Sequence, residues 1–137
     1  MRGHVIIFYR FSIITFAFLL GMQFSHAQGD EQINWLTFEQ LSDSLSRNPK
    51  KVLISFHTDW CVYCRKMHRE IFTNRDVVHR VNGWHYAVKF DAESTDPVHF
   101  DGQTFINRQA TKRRKGFHDL ALLLGARDGR FTPPVTL

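Results

Sequence analysis

Residues 52–64 decide the fold and read Val52-Leu53-Ile54-Ser55-Phe56-His57-Thr58-Asp59-Trp60-Cys61-Val62-Tyr63-Cys64. Residues 52–57 are mostly apolar and of strand length, which predicts a central strand covered on both faces. Residues 65–72 follow as a helix-type run, so the two cysteines of the chain, spaced Cys-x-x-Cys, lie in the turn between a buried strand and a helix. Unpaired backbone N–H groups and the helix dipole favour negative charge at a helix N-terminus, so a thiol ionises more easily there. The location of Cys61 and Cys64 therefore indicates redox chemistry.

The first 27 residues have the pattern of a secretory signal peptide. Arg2 and Arg10 make the start positive, residues 11–22 form an apolar run, and Ser25 and Ala27 are small residues at the −3 and −1 positions of a cleavage site. This run spans about 18 Å as a helix, which is short of the ~30 Å bilayer core, so an uncleaved anchor is disfavoured. We expect cleavage after Ala27, a polar lead-in over residues 28–34, no stable membrane anchor, and export to a bacterial periplasm.

Composition limits the function classes. The 137 residues are 43% hydrophobic, which is enough for one small domain with a core. The charge is +5, but five of the 18 basic residues fall in the run Arg108 to Lys115, so the basicity belongs to one loop. A nucleic-acid-binding domain would spread Lys and Arg over a face, so this class is excluded. A two-residue gap between cysteines makes a poor structural staple, because stabilisation grows with loop length, so the pair indicates a reactive dithiol.

Helices and strands alternate on both sides of the cysteines. Residues 35–47 are expected to form an amphipathic helix, with Thr37 and Gln40 as a capping box. Asn74 is expected to cap a further helical turn that continues through Val81, and residues 84–91 alternate apolar and polar side chains as a strand does. Residues 92–115 are expected to be a long polar loop, residues 117–126 a short helix, and residues 135–137 the opening of another strand.

This order resembles the thioredoxin fold. The stretch around Trp60-Cys61-Val62-Tyr63-Cys64 is similar to that of exported thioredoxin-like proteins and to the soluble end domain of membrane thiol:disulfide interchange reductases. The resemblance implies an α/β, three-layer domain over residues 35–137, with a central mixed sheet and a long loop before the third helix. The last strand and the closing helix of that fold are missing from the sequence, so we expect a domain that is incomplete at its C-terminus.

The resemblance also implies a function. The implied function is that of a thiol:disulfide oxidoreductase that acts more as a reductase than as an oxidase or isomerase. It would act on exported protein partners, would need no cofactor, and would depend on an unidentified redox partner. Cys61, exposed at the helix start, would be the nucleophile, and Cys64 would resolve the mixed disulfide by forming the Cys61–Cys64 disulfide. The supporting residues would be Trp60 packed beside the pair, Val62 and Tyr63 between the cysteines, and Pro134, or alternatively Pro133, as the cis-proline that faces them.

Proton handling in this site departs from the family pattern. Ser55 stands six residues before the first cysteine, where many thioredoxins have a buried aspartate, and a serine cannot be the proton acceptor proposed for that aspartate. Arg65, Lys66 and a nearby His57 or His68 could lower the pKa of Cys61 by favouring the thiolate. His68 itself is expected on the surface of the helix.

Two other function classes stay open. His57, Cys61, Cys64 and His68 are together the ligand set of a tetrahedral zinc site, but their spacing across a strand and a helix does not match that of the usual zinc sites, so we predict no metal. A non-catalytic binding module would use the basic run Arg108 to Lys115 to dock against an acidic patch on a protein partner.

Overall fold

The computed structural model describes residues 31–110 and 116–137, which belong to one compact unit, Glu31–Leu137. The predicted signal peptide, residues 1–27, lies outside the described residues. In chain order the elements are β1 (Trp35–Leu36), α1 (Phe38–Arg47), β2 (Lys51–His57), α2 (Val62–Glu70), α3 (Arg75–Trp84), β3 (His85–Asp91), β4 (Val98–Phe100), β5 (Gln103–Phe105), α4 (Asp119–Gly125) and β6 (Val135–Thr136). None of the helices in the described part of the chain is long and apolar enough to cross a membrane.

Four of these strands form a mixed sheet in the order β1-β3-β2-β6. β1 and β2 run parallel to β3, whereas β6 runs antiparallel to β2. The parallel pairs are joined through helices, as parallel strands require. The prediction of an α/β fold with a central mixed sheet is therefore confirmed. That the last strand and closing helix of the fold are missing stays a prediction.

Both faces of the sheet are covered by helices. On one face Phe38 of α1 and Leu120 of α4 pack with Phe56 of β2 in the larger core cluster. On the other face Val78 of α3 packs with Ala87 of β3 in a second cluster. A strand buried on both sides needs the near-continuous apolar sequence that β2 has, and β2 leads directly into the cysteines.

The ends of several elements differ from the sequence predictions. Trp35 and Leu36 were expected in the first helix, but they form β1, because Thr37 is the N-cap and its capping box with Gln40 starts the helix at Phe38. The helix α3 was expected through Val81 and the next strand from Trp84, but the helix continues to Trp84 and the strand begins at His85. The Asn82 side chain bonds to the backbone of Gln32 and Asn34 instead of ending the helix.

The segment that was expected to be a long polar loop contains a hairpin. β4 and β5 pair antiparallel, with Val98 opposite Phe105, around a turn in which Asp101 and Gly102 have positive φ. The carboxylate of Glu39 on α1 accepts a hydrogen bond from the His99 backbone N–H at 2.9 Å. This hydrogen bond to α1, which is distant in sequence, helps to hold the hairpin in place, because the sequence of the hairpin itself is mostly polar.

Candidate active site

The two cysteines lie where β2 gives way to α2, and they are joined in a disulfide with Cα atoms 5.2 Å apart. Cys61 is the N-cap residue of α2, and its Sγ accepts a hydrogen bond from the Cys64 backbone N–H at 3.1 Å. The sulfur of Cys61 therefore takes the place of the side-chain oxygen that usually caps a helix. A negative charge on this sulfur would be stabilised by the same N–H group and by the helix dipole.

Both cysteines are buried, with Cys61 4% and Cys64 1% exposed. The expectation that Cys61 is exposed at the helix start is wrong. The chain turns tightly before the helix, where the Cys61 N–H donates to the carbonyl of Thr58, itself 1% exposed. This turn places Cys61, like Cys64, below the protein surface.

An apolar rim surrounds the recessed disulfide. It consists of Trp60, Val62 and Tyr63, whose exposed fractions are 59%, 63% and 75%. The indole N–H of Trp60 donates to the Glu93 carboxylate at 3.1 Å, in the turn after β3. Trp60 is thus tethered at one end while much of its side chain faces solvent.

The proline segment approaches the end of β2. The Pro133–Pro134 peptide bond is cis. β6, which starts directly afterwards, pairs with β2 so that Phe56 lies opposite Val135. Extending this antiparallel register by one residue places Pro134 level with His57, at the end of β2 that leads into the cysteines. Pro134 is exposed there, and Pro133 is half-buried.

A polar group lies between α2 and the sheet. Ser55 is fully buried on β2, and its Oγ lies 3.3 Å from Nε2 of His68 on α2. The His68 ring also contacts the rings of Trp35, His57 and Phe72, with centroids 5.0 to 5.6 Å apart. The expectation that His68 lies on the helix surface is wrong, because it follows Cys64 by four residues and shares that inward-facing side of the helix. This spacing was the sequence signal for the inward-facing position of His68.

Burial lowers the pKa of both histidines at the contact between β2 and α2. Burial, followed by the positive charges of Lys89 and His57, lowers the pKa of His68 to about 4. Burial and then Lys89 also lower the pKa of His57, against the opposing charges of Asp91 and Asp59. These shifts apply to the protein with its disulfide closed, so the expectation that His57 or His68 lowers the pKa of Cys61 stays a prediction.

The two remaining basic residues of the motif have other partners. The Arg65 guanidinium donates to the backbone carbonyl of Asp59, and Lys66 lies 3.9 Å from Glu70 one turn further along α2.

In the basic run Arg108 to Lys115, Arg108 forms an ion pair of 2.6 Å with Asp119, whereas residues 111–115 lie outside the described residues. The predicted docking role of that run therefore stays a prediction.

The alternative of a zinc site at His57, Cys61, Cys64 and His68 finds no support in the described residues. The sulfurs of Cys61 and Cys64 are bonded to each other. Across residues 31–110 and 116–137, no three His, Cys, Asp or Glu side chains are grouped closely enough to hold a metal ion. The site is a disulfide at the start of α2, and the fully buried Ser55 and the partly buried His68 pair with each other between the same helix and β2.

The comparisons with known proteins agree with this geometry. A family model described as "Thioredoxin-like domain" matches residues 38–133, which is more than half of the chain and includes both cysteines. No curated protein and no solved structure matches the chain. With the mixed sheet and the disulfide at the start of α2, the family match leads to one conclusion: the chain belongs to the thioredoxin-like domain family.

Proposed function

We propose that the protein is a thiol:disulfide oxidoreductase that reduces disulfides of exported protein partners through Cys61 and Cys64. The observation that carries the proposal is the Cys61–Cys64 disulfide at the first turn of α2, where Cys61 Sγ receives the Cys64 backbone N–H. This hydrogen bond favours a thiolate on Cys61 over one on Cys64, which makes Cys61 the nucleophile.

The reaction consists of two thiol–disulfide exchanges. In the reduced protein the Cys61 thiolate attacks a partner disulfide, forms a mixed disulfide, and releases the first partner sulfur as a thiolate. Cys64 then loses its proton and attacks Cys61 Sγ, which breaks the bond to the partner and closes the Cys61–Cys64 disulfide. The partner leaves as a dithiol, and an electron donor must reduce the protein again.

The surroundings of the disulfide support a protein as the substrate. The apolar rim of Trp60, Val62 and Tyr63 gives a partner chain an exposed contact surface. In the proposal, Pro134 contributes the opposite wall of the site, because the β2–β6 register brings it to the same end of the sheet. A partner that covers this rim would exclude water while its sulfur approaches the recessed pair.

The test uses matched cysteine variants of the protein in a dithiothreitol-driven reduction of insulin. Cys61→Ser and Cys64→Ser should each abolish catalysis. Cys64→Ser should in addition trap a mixed disulfide with the partner, because the attacking sulfur remains and the resolving one is gone. Retained activity in Cys61→Ser, with the wild type active in parallel, would refute the assignment of the nucleophile.

The direction of the reaction is tested by the reduction potential of the pair. The similarity of the Cys61–Cys64 stretch to interchange reductases supports reduction, so we expect a potential near the ~−270 mV of thioredoxin. A value near the ~−120 mV of a strong periplasmic oxidant would contradict a reductase. Export is tested by the mass of the protein recovered from the expressing cells, where cleavage after Ala27 is expected and an intact leader would contradict it.

A further inference from the structure

We infer that the end of the domain opposite the disulfide carries a second binding site, which takes an acidic segment of a partner protein. The site is a groove at the starts of β2 and β3, and its lining residues are Pro49, Lys50, Lys51, Gly83, Trp84 and His85. Neither cysteine and no residue of the apolar rim lines this groove, so binding there does not depend on the dithiol chemistry.

The strand register locates the groove far from the disulfide. Lys51 begins β2 and His85 begins β3, and the two residues are partners in this parallel pair. β2 has seven residues and ends at His57, which leads into the cysteines. At about 3.3 Å per residue, the two ends of β2 lie about 20 Å apart. A partner held in the groove can therefore stay bound while the disulfide is exchanged at the other end.

Trp84 gives the groove an exposed aromatic side chain. Because α3 continues to Trp84 and β3 starts only at His85, the indole leaves the alternation that packs Tyr86 and Phe90 against the larger core cluster, and it is 73% exposed. A single exposed apolar side chain is ordinary on a protein surface. Trp84 differs because it lines a concave groove of about 490 Å³, a volume typical of ligand sites. Tryptophan is also enriched among the residues that dominate binding energy at interfaces.

The charges beside Trp84 select the chemistry of the occupant. Lys50 and Lys51 are both exposed, no carboxylate lines the groove, and neither lysine forms an ion pair within the part of the chain that the structure describes. The Lys50 ammonium lies 5.3 Å from the centroid of the Tyr86 ring, whose hydroxyl donates to the Asn48 carbonyl at 3.0 Å. The groove thus presents an indole beside two positive charges that lack counter-charges. Its complement is an apolar side chain flanked by carboxylates.

Two other occupants fit these features less well. A membrane with anionic lipids also attracts Trp and Lys, but such recognition uses clusters of about four to eight basic residues, whereas two lysines flank this groove. A second copy of the chain would have to approach against like charge, since the chain carries a net charge of +5. An acidic protein segment meets both the shape and the charge of the groove.

The test titrates the protein with a peptide of one phenylalanine between two pairs of glutamates, blocked at both ends. NMR resonances of Lys50, Lys51 and Trp84 should shift with peptide concentration, while those of Cys61 and Cys64 should not. Trp84→Ala should weaken binding about tenfold or more, as the loss of an anchoring tryptophan does. Lys50→Gln and Lys51→Gln should each weaken it by up to about fivefold, and added salt should weaken binding to the unchanged protein.

Matched controls separate this groove from other exposed surfaces. Trp60→Ala removes a tryptophan that is 59% exposed at the disulfide end, and Lys66→Gln removes an exposed lysine of α2. Both variants should bind the peptide as the unchanged protein does. A peptide with glutamine in place of every glutamate should bind more weakly. Trp84→Ala should unfold near the urea midpoint of the unchanged protein, because its side chain is mostly exposed.

Three outcomes would overturn the inference. The first is the absence of NMR shifts at millimolar peptide, or unchanged peptide affinity in folded Trp84→Ala. The second is binding to phosphatidylglycerol vesicles that Trp84→Ala abolishes, with no binding of the peptide, which would assign the groove to a membrane surface. The third is a dimer in sedimentation that Trp84→Ala dissociates, which would assign the groove to a second copy of the chain.

Discussion

The replacement of Gly125 by alanine tests how tightly α4 packs against the proline segment. Gly125 is the last residue of α4 and does not have a positive φ, so its backbone conformation suits alanine. An added Cβ would lie 2.8 Å from Cε2 of Phe131 and 3.3 Å from Cγ1 of Val135. Phe131 lies two residues before the prolines and Val135 begins β6, so the new methyl group would press on the segment that we propose as one wall of the site.

Two opposing effects decide the sign of the change. Alanine is a better helix former than glycine by up to about 1 kcal/mol, and by less at the last residue of a helix. Crowding a packed core costs about 1 to 3 kcal/mol. The ring of Phe131 has little room to give way, because it is 7% exposed and packs against Phe56 and Phe117 with centroids 5.8 and 4.9 Å apart. We therefore expect Gly125→Ala to lower the free energy of unfolding by about 1 to 2 kcal/mol.

Gly83 on α3 offers the matched control. It also lies in a helix without a positive φ, but an added Cβ would meet no atom within 4 Å. Gly83→Ala should therefore stabilise the protein by about 0.5 to 1 kcal/mol. Urea unfolding of both variants, with the disulfide kept intact, measures the difference. A Gly125→Ala variant as stable as Gly83→Ala would refute the close packing.

Three further predictions concern the cap, the core and the pH. Thr37→Ala should cost about 1 kcal/mol in urea unfolding because it removes the capping box of α1, whereas Thr37→Ser should cost less. Phe56→Ala should cost about 3 to 5 kcal/mol in the same assay, since this fully buried ring packs edge-on against Phe90 and Phe131. His68 has its pKa lowered from 6.5 to about 4 by burial and by Lys89, so the unfolded chain binds more protons between these pH values. The oxidised protein should therefore lose about 1 to 2 kcal/mol of stability as the pH falls from 6.5 to 4, after allowance for solvent screening, and His68→Gln should show a smaller loss.

The parts of the fold that local sequence determines were predicted from it. The apolar run of β2, the capping box at Thr37 and the Asn74 cap each specify an element through neighbouring residues, and each is present. The flanking strand and helix patterns similarly placed the two cysteines at the strand-to-helix turn, where they form a disulfide. Such signals need no knowledge of the tertiary structure, because they lie within a few residues of the element that they specify.

The missed elements depend on contacts between distant parts of the chain. β1 has only two residues, and it exists because Trp35 and Leu36 pair with Ala87 and Val88 of β3. The β4–β5 hairpin is similar, since its His99 backbone bonds to a carboxylate on α1, 60 residues earlier in the chain. No periodicity within two or three residues could reveal such a strand.

The same distinction explains what the sequence could show of the site. The positions of Cys61 and Cys64 follow from a local motif, but their burial depends on the turn at Thr58 and on the packing of α2 against the sheet. The neighbourhood of Cys64 and His68 was visible in their spacing of four. The contact of His68 with Ser55 was not, because it joins a helix to the strand beneath it.

A histidine can assist a buried thiol in two opposite ways, and its environment decides between them. An exposed imidazole that is protonated at neutral pH would stabilise a thiolate as a standing positive charge. Here burial and then Lys89 lower the pKa of His68 to about 4, so the ring is a weak base that holds no proton at neutral pH. Ser55, whose Oγ lies 3.3 Å from Nε2 of this ring, adds no charge of its own. The Cys61 thiolate that we propose therefore relies on the N-terminus of α2, where Cys61 Sγ receives the Cys64 backbone N–H.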